Sequence, residues 1–143
     1  MENRKIKNAT RFSYDGIEFK SKLEVKCFIE LRKAGFEPEY ENLKLTIQDG
    51  FYPTVEYYKG DKKNKEGLKL MSSKVLPVTY TPDITFRHGA YTVLVEVKGF
   101  ENDVYPLKQK VFRKWLEGSD EKYMFFEVKN VAQLQNMIKM IKR

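Results

Sequence analysis

The chain has 143 residues, of which 41% are apolar, 33% charged and 14% aromatic. That suits a single globular domain and excludes a disordered or fibrous chain. Its 27 lysines and arginines outweigh 20 acids, and the net charge of +7 favours polyanionic partners through counterion release.

Met1-Glu2-Asn3-Arg4-Lys5 begins no apolar stretch, so no secretory signal is expected. No apolar run approaches the roughly 18 residues of a membrane span. Cys27 is the only cysteine, which excludes an intramolecular disulfide and a thiolate zinc cluster within one chain. A cytoplasmic location is the plain expectation.

Phe12 to Phe19 reads as a small hairpin with Asp15-Gly16 as its turn. Ser21-Lys22-Leu23-Glu24 has the form of a capping box, and a helix should run from there to about Ala34, stopped by Gly35. Leu23, Cys27, Leu31 and Ala34 recur at helical spacing, with Glu24 at the edge of the buried face. Leu43 to Ile47 alternates as a strand. Residues 48–74 read as a basic irregular insertion, either a solvated hairpin tip or an arm that touches a phosphate backbone. Lys62, Lys63 and Lys65 are its candidate DNA contacts, and Tyr57 and Tyr58 are available to stack. Strands are expected over Val75 to Phe86 and Tyr91 to Lys98. A helix should begin at Pro106, with Leu107, Val111, Phe112 and Trp115 as its apolar side. Lys108, Lys110, Arg113 and Lys114 make much of its remainder basic and are further DNA-contact candidates. A buried strand over Tyr123 to Val128 and an amphipathic helix bearing Leu134, Met137, Ile138 and Ile141 complete the chain. This order fits an α/β fold, a mixed sheet with helices packed on it.

Pro82 and Asp83 are poor strand formers inside an otherwise strand-like run. A symmetric hairpin about His88-Gly89 makes paired residue numbers sum to 177. One face then collects Val78, Tyr80, Ile84, Phe86, Tyr91, Val93, Val95 and Val97, all apolar and destined for the core. The other face collects Asp83, Glu96 and Lys98, with Asp83 and Glu96 as diagonal neighbours about 7–8 Å apart at the backbone. Two convergent carboxylates repel unless a proton or cation lies between them. A hard divalent ion, Mg²⁺ or Mn²⁺, resolves that repulsion, polarises a phosphoryl oxygen and lowers the pKa of a bound water. Pro82 should interrupt the pairing and re-aim Asp83.

Leu23-Glu24, Tyr80-Thr81-Pro82-Asp83 and Val95-Glu96-Val97-Lys98-Gly99, in this order, resemble the PD-(D/E)xK nuclease superfamily. The likeness is nearest to the phage endonuclease I group of Holliday-junction resolvases and to related uncharacterised phage proteins. It covers about residues 12–116. The resemblance implies a restriction-endonuclease-like mixed sheet flanked by helices, with residues 1–143 as a single nuclease domain. It implies a Mg²⁺- or Mn²⁺-dependent endodeoxyribonuclease that hydrolyses phosphodiester bonds, acts as a homodimer on branched DNA and works in the host cytoplasm if phage-encoded. Asp83 and Glu96 would bind metal, with the Val97 carbonyl as a further ligand. Glu24 would hold a metal or its water, and Lys98 would support the attacking hydroxide. Nicking, flap and transposon-end nucleases share this motif, as would a DNA-binding accessory subunit that keeps the fold without activity.

Overall fold

The structure is a computed structural model that describes residues 12–99 and 104–143. The N-terminal stretch Met1 to Lys5 and Phe100 lie outside the described residues. The first hairpin pairs β1 (Phe12–Tyr14) with β2 (Ile17–Phe19). Asp15 and Gly16 have φ of 55° and 78°, the left-handed pair that a tight hairpin turn demands.

Helix α1 (Lys22–Lys33) starts at the capping box. The Ser21 hydroxyl accepts from the Glu24 amide at 3.1 Å, and Glu24 Oε1 accepts from the Ser21 amide at 3.2 Å. Cys27, Phe28 and Leu31 form its buried face. The helix ends at Ala34, and Gly35 at φ 96° turns the chain away.

A short strand follows, β3 (Glu39–Tyr40), then β4 (Leu45–Gln48), β5 (Tyr58–Gly60), β6 (Leu68–Leu70) and β7 (Val78–Tyr80). Next come β8 (Ile84–His88), β9 (Tyr91–Val97), α2 (Tyr105–Glu117), β10 (Tyr123–Val128) and α3 (Val131–Lys142). The main sheet has the order β10-β9-β8-β3. β9 runs antiparallel to β8 and parallel to β10, so the sheet is mixed. The fold is mixed α/β.

Both faces of β9 are buried, which explains its near-continuous apolar sequence. Val93, Val95 and Val97 meet α1 and α3 through Phe28, Leu31, Leu134 and Met137. On the other face, Leu94 joins Leu45, Ile47, Tyr80, Tyr105 and Phe112. α2 and the β4–β7 ribbon therefore form a third layer.

Several expectations are corrected. The strand over Val75 to Phe86 is two strands: β7 pairs with β4 and β8 pairs with β9. Thr81-Pro82-Asp83 is the break, because Pro82 has no amide to donate to a ladder. The β8–β9 turn is tighter than a four-residue link. His88 faces Tyr91 across Gly89 (φ 60°) and Ala90, and paired numbers sum to 179, not 177. Tyr80 does not share the face of Ile84. The break at Pro82 changes the parity and sends Tyr80 to the α2 side. Leu107 is 68% exposed, whereas Tyr105 and Phe112 are buried. The helix starts at Tyr105, one residue before Pro106. Residues 48–74 are ordered as an antiparallel excursion: β5 pairs with β6, and Phe51 pairs with Val75. Among the described residues, no helix is long and apolar enough to cross a membrane.

Candidate active site

Where β7 ends and β8 begins, the chain leaves the ladder for three residues, and Asp83 is half-buried at the mouth of the gap. Continued by one residue, the β8–β9 register sets Asp83 against Glu96. The two acids are therefore cross-strand neighbours, one step closer than a diagonal pair. Asp83 Oδ2 accepts from the Val97 amide at 2.8 Å, which fixes its side chain along β9. The Asp83 carbonyl accepts from the Glu41 amide at 2.8 Å. Glu41 holds a left-handed φ of 47°, unusual for a residue with a Cβ.

Glu96 is 6% exposed. The Tyr80 hydroxyl donates to its Oε1, and the Lys98 ammonium lies 3.4 Å from its Oε2. That ammonium also sits 4.2 Å from the Tyr105 ring centroid, so Lys98 is held between an acid and an aromatic face. Asp83, Glu96, Lys98, Lys20, Glu41 and Lys108 are among the residues that line one cleft of about 500 Å³. Lys20 pairs with Glu41 at 3.0 Å, and this bond raises the Lys20 pKa.

Burial pushes the Asp83 carboxyl well above its ordinary value, and the charge of Glu96 pushes it further; the Val97 amide opposes both. Glu96 is raised by burial too, while Tyr80 and Lys98 hold it down. Three lysines (Lys20, Lys98, Lys108) and three acids (Glu41, Asp83, Glu96) line the cleft, yet Asp83 and Glu96 both stay raised, so the lysines do not offset the burial of the two carboxyls.

Asp83, Glu96, Lys98 and Lys108 meet in the cleft. Glu24 does not line it. Its Oε1 accepts from the Lys20 and Ser21 amides and from the Tyr40 hydroxyl at 2.8 Å, so it is engaged at the start of α1. Glu24 nonetheless reaches Asp83 electrostatically and raises its pKa. Val97 touches Asp83 through its amide. Lys110, Arg113 and Lys114 lie on the exposed face of α2. Lys62, Lys63 and Lys65 lie at the tip of the β5–β6 hairpin, apart from that face in the chain. Among the described residues, no group of three or more His, Cys, Asp or Glu side chains is arranged to hold a metal ion.

Residues 4–139 match the family described as "Protein of unknown function (DUF1064)". The chain belongs to this DUF1064 family. No curated protein matches it. No solved structure matches it either.

Several residues of this DUF1064 cleft carry no sequence signal of their own. Tyr80 reads as one more apolar strand position, and only the break at Pro82 makes its hydroxyl a partner of Glu96. Lys20 and Glu41 belong to no periodic pattern. Tyr105 precedes the proline that marks the helix start. Glu127 faces Glu96 in the β9–β10 register, and its charge raises the Glu96 pKa further.

Proposed function

We propose that this protein is a metal-dependent DNA endonuclease of the PD-(D/E)xK type with a restriction-endonuclease-like fold. The observation that carries this reading is the meeting of Asp83, Glu96 and Lys98 in one cleft across the Pro82 break. Two acids whose pKa values are raised by burial form a hard-oxygen donor set short of positive charge. That chemistry fits a divalent cation. Asp83 and Glu96 would hold Mg²⁺ or Mn²⁺, which supplies Lewis-acid polarisation of a phosphoryl oxygen and a bound water of lowered pKa.

The chain's own residues orient these groups. The Val97 amide fixes Asp83, and Tyr80 with Lys98 fixes Glu96. Lys98, wedged against Tyr105, stands beside the acids to stabilise charge that develops on a phosphate. Lys20 and Lys108 at the cleft wall attract the DNA backbone, and Lys110, Arg113 and Lys114 extend the basic surface along α2. The resemblance adds branched DNA as substrate, a homodimer as the working form and the cytoplasm as the location.

The decisive assay compares four-way junctions, flaps, nicked and plain duplexes with Mg²⁺ or Mn²⁺. The wild type should cut at least one of them. Asp83→Asn should lose at least about a hundredfold in rate and still bind DNA. A second reading, a DNA-binding subunit without activity, draws on the exposed basic face of α2, which can hold a phosphate backbone without any chemistry in the cleft. Binding without cutting in either metal would favour it.

A further inference from the structure

The excursion between β4 and β7 contributes nothing to either core cluster over residues 49–77. Yet it is ordered. Phe51 and Val75 exchange amide hydrogen bonds of 2.9 and 2.7 Å, and the Met71 amide donates to the Tyr57 carbonyl at 2.9 Å. At its base, a Cβ on Gly50 would come within 2.7 Å of the Val75 carbonyl oxygen, so only glycine lets the two strands close. Most of the exposed large apolar side chains among the described residues lie here, including Tyr52 at 73% and Tyr57 at 59%. An isolated two-stranded ribbon has no core of its own, and so much exposed apolar surface marks a binding face.

Between the two limbs below β5 and β6, residues 51–57 and 71–75, lies a groove of about 540 Å³, lined by Phe51, Tyr52, Val55, Tyr57, Met71 and Lys74 among others. The Lys74 ammonium sits 5.5 Å from the Tyr52 ring centroid. Residues 51–76 hold six lysines against three acids. Five of the lysines sit on β5, β6 and the tip between them, Lys74 lines the groove, and the Tyr52 and Tyr57 rings sit in it. The ligand that fits is a polyanion with flat, apolar, unstacked faces.

We propose that this groove binds single-stranded nucleic acid, with unpaired bases on Tyr52 and Tyr57 and phosphates on the surrounding lysines. A second copy of the chain fits less well, since it would bring two basic ribbons together. A duplex keeps its bases stacked and offers the rings nothing. β7 leads from this ribbon directly into Thr81-Pro82-Asp83 at the cleft.

The test is fluorescence anisotropy in EDTA, where no cutting occurs, so the result is independent of the cleavage reading. The probes are a labelled oligo-dT of about 20 nucleotides and a blunt duplex of the same length. The wild type should bind oligo-dT. Tyr52→Ala with Tyr57→Ala should weaken that binding by about tenfold or more while leaving duplex binding within about twofold. Tyr52→Phe with Tyr57→Phe, which keeps the rings, should restore it. Circular dichroism confirms that each variant is folded. Equal oligo-dT affinity for the wild type and the alanine variant would overturn the proposal. So would sedimentation in which the alanine variant dissociates a wild-type dimer without losing oligo-dT affinity, because the groove would then serve a second copy.

Discussion

Asp83 and Glu96 are acceptor-only when ionised, and neither is matched by a full positive charge of its own. Lys98 is shared with a ring face, and the Val97 amide contributes only a dipole. Ionisation of Asp83 therefore opposes folding. Asparagine keeps an oxygen for the Val97 amide and removes the charge. Asp83→Asn should accordingly raise stability at pH 7 in metal-free buffer by about 1 kcal/mol or more. Urea denaturation measures this, and a loss of stability would show that the carboxylate is well compensated. Cys27 offers a separate residue-scale test, because burial pushes its thiol from the ordinary 9.0 up to about 12. A pKa raised by folding gives stability that is fully present below the unfolded value and lost as pH climbs towards the folded one. Between pH 9 and 12 the unfolding free energy should thus fall by up to about 1.4 kcal/mol per pH unit from this group. Tyr40 and Tyr80, also raised by burial, add in the same direction at higher pH. Comparing denaturation of the wild type and Cys27→Ala at pH 8 and 10 isolates the thiol. An identical pH response in the two proteins would contradict its burial.

At the scale of elements, legibility in the sequence follows how local the signal is. The capping box of α1 and the Asp15-Gly16 turn are legible because their hydrogen bonds and φ values are set within four residues. The face shared by Asp83, Glu96 and Lys98 is legible because strand parity survives a register error of two. The register itself is not legible, since Gly89 and Ala90 close the turn more tightly than residue type alone announces. Tyr80 is misplaced by strand alternation because Pro82 resets the parity. The burial of the polar face is invisible until α2 is placed over it. Phe112 shows this best: it is fully buried against Tyr80 at 4.5 Å and Phe125 at 5.0 Å between ring centroids. Phe112→Ala should cost about 3–5 kcal/mol of stability and loosen Tyr80 behind Glu96. Thermal or urea unfolding gives the value. A cost below about 1 kcal/mol would mean that α2 is not the lid of this core.

At the scale of the molecule, α2 exposes Lys110, Arg113 and Lys114 and the ribbon tip exposes Lys62, Lys63 and Lys65, whereas the cleft sets the acids Glu41, Asp83 and Glu96 beside Lys20, Lys98 and Lys108. Such a division directs a polyanion to the surroundings of the acids rather than onto them, unless a cation is present there. Replacing Lys110, Arg113 and Lys114 together by glutamine should reduce the slope of log affinity for duplex DNA against log salt by roughly 2–3. Anisotropy titrations in EDTA at several salt concentrations measure this slope, and an unchanged value would remove α2 from the interface. Metal-dependent cleavage by this chain requires that the two acids at the Pro82 break share a cation. A crystal soaked in Mn²⁺ and measured at the manganese edge answers this directly. The prediction is an anomalous peak within about 2.5 Å of a carboxylate oxygen of both Asp83 and Glu96. A map with no peak between them, at Mn²⁺ concentrations that saturate any activity, would contradict it.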